Sequence, residues 1–133
     1  MHIRTHADHL TTEAEFYITL YDAIAADPSK VGHGHNGYYF GENGEYTWYD
    51  LAKAIGKALV KRGLSKSDEP TTFSKDELVK YFWTEDIAGI WGSNARVKAP
   101  HARSLGWQPK LTTQDFLKSV DAEVEAHLKQ QKA

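Results

Sequence analysis

The sequence predicts a helix-rich α+β fold, with four or five helices and a few short strands in a single domain. Apolar residues recur at helical spacing along four stretches of the chain. A short aromatic run, Tyr38–Phe40, is bounded by glycine-containing segments and predicts a strand. Helix start signals, in which Thr or Ser precedes an acidic residue by three positions, occur at Thr47-x-x-Asp50, Ser74-x-x-Glu77 and Thr112-x-x-Asp115.

The first third of the chain predicts an arm, a helix, a loop and the strand. Residues 1–10 carry three His and little periodicity, and they predict a flexible N-terminal arm ahead of a single domain over residues 11–133. A helix is expected from Thr12 to Ala26, because Asp27-Pro28 stops it. Residues 29–36 contain two glycines and predict a loop that leads into Tyr38–Phe40.

The remainder predicts further helices. The most regular apolar stripe runs from Trp48 to Arg62 between the Thr47 cap and Gly63. After a polar loop over residues 65–72, the Ser74 signal opens a short helix. Residues 87–94 contain two glycines and do not predict a long element. Residues 96–105 predict a helix that tolerates Pro100 only in its first turn, and the last helix follows the Thr112 cap.

Composition excludes several classes of function. The formal net charge is −2, which argues against binding to nucleic acid or to an anionic membrane surface. The chain has no cysteine, so it has neither disulfides nor thiolate catalysis. No apolar run approaches the length of a membrane span, and the polar start is unlike a signal peptide. A cytoplasmic protein is therefore expected.

Several segments match a known family in their order. These are His9–Tyr17, the strand–turn–helix Gly37-Tyr-Tyr-Phe-Gly-Glu-Asn-Gly-Glu-Tyr-Thr-Trp48, Trp91–Arg96 and Leu105-Gly-Trp-Gln-Pro109. Together they resemble the C-terminal, substrate-side region of the extended short-chain dehydrogenases, the family of NAD-dependent epimerases and dehydratases. The Asp that the family carries near Thr12 is missing here. The resemblance implies the fold of a substrate-side lobe, and in the family a preceding dinucleotide-binding domain does the chemistry.

The catalytic parts of that family are not found in these residues. No Gly-x-x-Gly-x-x-Gly loop follows an opening strand, so no nucleotide cofactor is expected. Tyr49 and Lys53 have the Tyr-x-x-x-Lys spacing of the family's general acid, but they lie on the wrong element. We interpret them as a helix-surface Tyr and a solvated Lys, and we predict no catalytic residue.

The ligand-binding candidates lie in the aromatic run and in the segment that resembles the family's substrate-side loop: Tyr38, Tyr39, Trp91, Ser93, Asn94 and Arg96. Trp83 and Trp91 are candidates for pocket walls, whereas Trp48 and Trp107 are expected in the core. The Arg96 guanidinium, with Arg103, could bind an anionic group. His33 and His35 could share a metal ion, as could His2, His6 and His9, but no metal is predicted because no carboxylate stands at a fixed spacing beside them.

Three functions follow as hypotheses. The first is a non-catalytic module, derived from the substrate lobe, that binds an apolar or anionic small molecule or another protein. The second is a part of an NAD(P)-dependent reductase or epimerase that is active only beside a nucleotide-binding partner. The third is a cofactor-free enzyme that uses Tyr38, Tyr39, Asp86 and His101. In each case a homodimer through residues 10–26 is expected, because the helix there has more apolar surface than a small lobe can cover.

Overall fold

The computed structural model describes residues 4–6, 10–93 and 95–131, and it confirms a helix-rich chain. Two strands, β1 (Arg4–His6) and β2 (Glu45–Thr47), pair as a two-stranded sheet. The α-helices are α1 (Leu10–Ala26), α2 (Trp48–Lys61), α3 (Lys75–Phe82), α4 (Glu85–Trp91), α5 (Pro100–Ser104) and α6 (Thr113–Gln130). Short 3₁₀ turns occupy Pro28–Lys30 and Gly34–Asn36.

The chain divides into two compact units. Unit 1 comprises residues 1–5, 46–95 and 117–133, and unit 2 comprises residues 6–45 and 96–116. Arg4–His6 forms strand β1 within the predicted flexible arm. A single domain over residues 11–133 stays a prediction, because compact units of this size occur both as subdomains and as separate domains.

Unit 2 has a small aromatic core. Phe16 of α1 and Trp107 are buried, and their ring centroids lie 5.3 Å apart. The Trp107 indole N–H donates a hydrogen bond to the Thr12 carbonyl oxygen at 3.3 Å, so its polar atom is satisfied inside the core. The Arg103 guanidinium lies 5.5 Å from the Trp107 ring centroid. Small side chains and partly buried residues complete this cluster: Ala99, Ala102, Leu20 and Tyr39.

Unit 1 is built on α2 and the greater part of α6. The Arg62 guanidinium of α2 contacts the Asp121 carboxylate of α6 at 2.5 Å and donates to the Asp121 carbonyl oxygen at 2.9 Å. The Lys61 ammonium contacts the second carboxylate oxygen of Asp121 at 2.7 Å. Ala58 and Val120 are buried in this unit. The capping boxes of α2 and α3 form as the sequence predicts, with Asp50 and Glu77 as the acidic partners.

Two predicted elements differ from the structure. Tyr38–Phe40 is not a strand. The Tyr39 hydroxyl accepts a hydrogen bond from the Gly32 N–H at 2.8 Å, so a side-chain contact holds this segment where backbone pairing between strands was expected. The helix predicted over residues 96–105 begins only at Pro100, because the residue before a proline is disfavoured in the α conformation. Ala99 accordingly has φ −108° and ψ 47°.

Candidate functional site

A groove of about 490 Å³ lies within unit 1, which is the size range of small-molecule sites. Its walls come from the first turns of α2, the segment before α3, and the helices α3 and α4. Most of the lining is aromatic or aliphatic: Trp48, Tyr49, Ala52, Pro70, Phe73, Leu78, Phe82, Ala88 and Trp91, with Gly92 and the hydroxyl-bearing Thr71 and Thr72. The groove therefore offers apolar walls with few polar groups.

Trp48 and Trp91 lie near opposite ends of the segment 46–95, and both line the groove. The Trp48 indole N–H donates to the Trp91 carbonyl oxygen at 3.1 Å, which ties the start of α2 to the end of α4. The Trp91 side chain is 62% exposed and the Trp48 side chain 38% exposed. The Trp48 ring is thus held by its N–H, and both side chains remain open to a ligand.

The floor of the groove depends on Phe73. Its ring centroid lies 5.7 Å from those of both Tyr81 and Phe82 on α3. The Phe73–Phe82 pair is edge-to-face, a favoured aromatic geometry. The segment that carries Phe73 is therefore held by ring contacts, since the Thr71 and Thr72 hydroxyls make no hydrogen bond within the described residues.

A glycine allows the adjoining loop to approach α2. A Cβ added to Gly56 would lie 2.7 Å from the backbone oxygen of Asp68 and 2.9 Å from its Cα, closer than real contacts permit. Glycine at this helical position costs intrinsic helix stability. In return, the backbone of residues 68 and 69 packs directly on α2 and the Asp68 and Glu69 side chains reach it.

Those carboxylates form a polar cluster at the groove margin. The Tyr49 hydroxyl donates to Glu69 Oε1 at 2.7 Å, and Lys53 Nζ donates to Glu69 Oε2 at 2.6 Å and to Asp68 Oδ1 at 3.1 Å. The Glu69 hydrogen bond raises the pKa of Tyr49, and the Lys53 ammonium lowers the pKa of Glu69. Lys53 is thus ion-paired, which corrects its interpretation as a solvated residue, and Tyr49 lines the groove.

The sequence-predicted ligand residues do not gather in one unit. Trp91 lines the groove and Ser93 is exposed beside it, with its hydroxyl donating to the Ile90 carbonyl oxygen at 2.7 Å. Tyr38, Tyr39 and Arg96 belong to unit 2, while Asn94 lies outside the described residues.

The tryptophans divide differently from the prediction. Trp107 is core as expected, but Trp48 is a groove residue, because the apolar stripe of α2 extends beyond what the neighbouring elements cover. Trp83 does not line the groove; it ends α3 with φ 66° and is 80% exposed.

Three of the four groups assigned to cofactor-free chemistry lie together in unit 2, where the Tyr39 ring centroid is 5.6 Å from that of His101. Tyr38 contributes its carbonyl oxygen to a contact of 3.1 Å with His101 Nδ1, and its own side chain is exposed. Asp86 belongs to unit 1, apart from the other three residues in unit 2.

The described residues contain neither a cluster of metal ligands nor a helix fit to span a membrane. In residues 4–6, 10–93 and 95–131, no group of three His, Asp or Glu side chains is placed to hold a metal ion, and His33 and His35 are exposed. His2 and His9 fall outside the described residues. Among the helices of the described part, none has the length and apolar character needed to cross a membrane.

The chain is similar in sequence to part of a known protein. The chain is 38% identical over 89 residues to the oxidase ucsJ from Acremonium sp, and the match covers 66% of this chain and 25% of that protein. The chain therefore spans about a quarter of the length of this relative. No protein family and no solved structure matches the chain.

Proposed function

We propose that this chain is a substrate-side lobe that binds an apolar, aromatic small molecule in the groove of unit 1 and supplies no redox chemistry itself. The observation that carries the proposal is the aromatic lining of a groove of about 490 Å³, in which Trp48 and Trp91 present exposed ring faces. Exposed aromatic surface in a concave site favours flat apolar ligands. The resemblance of the sequence to the substrate-side region of extended short-chain dehydrogenases is consistent with such a role.

The test is a titration with 2-methoxynaphthalene, a neutral bicyclic probe. Resonances of the Trp48 and Trp91 indole N–H groups should shift on binding, whereas that of Trp107 in unit 2 should not. Trp91→Ala should weaken binding about tenfold, since an aromatic contact contributes on the order of 1.5 kcal/mol beyond its buried area. The backbone oxygen that Trp48 contacts is retained in this variant.

The matched control is Trp83→Ala. Trp83 lies nearby in the sequence and is more exposed than Trp91, but it does not line the groove. Its removal should leave the affinity unchanged. Equal weakening by the two substitutions, or probe-induced shifts at Trp107 alone, would contradict the proposal.

A second candidate is favoured by the match to the oxidase. If the chain forms part of a larger oxidoreductase, its groove holds the substrate while another part binds the nucleotide. The corresponding experiment replaces the matched segment of the Acremonium oxidase by these residues and measures oxidase turnover. Retained turnover supports this candidate. The chain alone should bind neither NAD(H) nor NADP(H), and low-micromolar affinity in calorimetry would argue that the nucleotide site lies within it.

A further inference from the structure

A ligand's polar group can be recognised at the margin of the groove that Tyr49 forms. The Tyr49 ring forms part of the wall, and its hydroxyl hydrogen is already donated to Glu69 Oε1. A phenol oxygen has one hydrogen and two lone pairs. Because the hydrogen points to Glu69, the Tyr49 oxygen can only accept a hydrogen bond from a ligand.

The surrounding charges keep that arrangement in place. Lys53 Nζ binds the other oxygen of Glu69 and also Asp68, so the carboxylate that holds the Tyr49 hydrogen is fixed from its far side. The hydrogen bond to Glu69 raises the pKa of Tyr49, in keeping with a phenol whose hydrogen is held by a carboxylate. Charge-assisted hydrogen bonds of this kind hold their geometry better than neutral ones. The acceptor at the groove margin is therefore preorganised.

We infer that the groove selects hydroxyaromatic ligands, whose O–H donates to the Tyr49 phenol oxygen while the fused or conjugated rings lie against Trp48 and Trp91. This inference rests on the proposed function and deepens it by naming the ligand class. Tyr49 acts here as a specificity-determining residue. Ether analogues of the same shape lack the hydrogen and leave the Tyr49 oxygen without its ligand partner.

The experiment compares 2-naphthol with 2-methoxynaphthalene by calorimetry. The wild-type chain should bind 2-naphthol about tenfold more tightly. Tyr49→Phe should abolish that preference while leaving the affinity for 2-methoxynaphthalene nearly unchanged, because the ring stays in the wall. The control is Tyr38→Phe, which removes an exposed hydroxyl in unit 2 and should retain the full preference.

A second variant tests the direction of the hydrogen bond. Glu69→Ala frees the Tyr49 hydrogen, which can then donate to the ether oxygen of 2-methoxynaphthalene. The preference for 2-naphthol should shrink because the ether gains affinity. If Glu69 only holds the fold, Glu69→Ala should weaken the binding of both probes equally, and that result would overturn the inference.

The remaining outcomes separate the two proposals. If both probes shift the groove resonances with equal affinity in the wild-type chain, the groove binds ligands but hydroxyl recognition is wrong. A preference that persists in Tyr49→Phe also overturns the inference. If neither probe shifts Trp48 or Trp91, the proposed function itself fails.

Discussion

The two units use their aromatic residues in opposite ways. In unit 2, Trp107 is 2% exposed, packs against the Phe16 ring at a tilt and has its N–H satisfied by a backbone oxygen. In unit 1, Trp48 and Trp91 are tied together by a hydrogen bond but keep exposed ring faces. Aromatic rings stabilise a fold when they are covered and bind ligands when they are fixed but open. We therefore expect the covered Trp107 ring to contribute to stability, and the exposed Trp48 and Trp91 rings to serve the binding that we propose.

The largest expected effect comes from removing the buried ring of Trp107. Trp107→Ala should lower the free energy of unfolding by about 3–5 kcal/mol, the usual cost of deleting a buried large aromatic side chain. Trp83→Ala, which removes an equally large but exposed ring, should change it by less than about 0.5 kcal/mol. Denaturant melts followed by circular dichroism measure both. Similar losses for the two variants would show that burial does not distinguish these positions.

The features that the sequence predicted well are local. Thr47 with Asp50 and Ser74 with Glu77 form their capping boxes, because each box depends only on residues within one helical turn. The helix start at Pro100 was predicted too early, although the restriction on the preceding residue is also local. The prediction that Trp48 lies in the core was wrong, because helical periodicity identifies an apolar face without showing which neighbours cover that face.

The groove could not be predicted for a similar reason. It joins Trp48 to Trp91 across 43 sequence positions and adds the irregular segment around Phe73, which has no periodic pattern. Trp91 was identified as a candidate wall residue because it lies in a segment with glycines. Nothing in the sequence indicates that the Tyr49 hydroxyl meets Glu69, since a loop brings these residues together.

A pair of helical glycines tests how the groove is supported. Gly56→Ala places a methyl group against the Asp68 backbone and should cost about 1–3 kcal/mol in free energy of unfolding, as overpacking does. It should also shrink the preference for 2-naphthol over 2-methoxynaphthalene, because displacement of residue 68 moves Glu69 away from Tyr49 and frees the Tyr49 hydrogen. Urea melts and calorimetry measure the two effects.

Gly89→Ala is the matched control for Gly56→Ala. Gly89 lies within α4, and an added Cβ there meets no atom within 4 Å. The substitution should stabilise the helix by roughly 0.5–1 kcal/mol through its propensity. Destabilisation of the same size at both glycines would indicate that contact with Asp68 is not what Gly56 provides.

The ion pair between α2 and α6 predicts a dependence on acid. Hydrogen bonding to Arg62 lowers the pKa of Asp121 from 3.8 to about 2 in the folded chain. Because the folded-state pKa is the lower one, this carboxylate stabilises the fold above about pH 4, and its contribution is lost as the pH falls towards 2. In Asp121→Asn the fall in stability over that range, measured by thermal melts, should be smaller.

Arg62→Met supplies the reciprocal test of this pair. Without the guanidinium, the pKa of Asp121 should return towards its ordinary value, and the acid dependence should shrink as it does in Asp121→Asn. An unchanged acid profile in both variants would show that Asp121 is not held by Arg62 in solution.

The smallest effect on the fold is expected at the outer face of α1, where a change should alter assembly instead. The side chains of Tyr17, Ile18, Tyr21 and Ile24 are between 46% and 71% exposed and form one stripe. Covering this stripe with the same stripe of a second copy gives a two-fold dimer. We expect sedimentation to show a particle of twice the 15.0 kDa chain mass. Tyr21→Lys should restore the monomer and change the free energy of unfolding by less than about 0.5 kcal/mol.

The control is Ala26→Lys. Ala26 is exposed at the end of the same helix but lies outside the stripe, so this variant should leave the dimer intact. A monomeric wild-type chain at tens of micromolar would refute the dimer and would show that the stripe of α1 stays in contact with water.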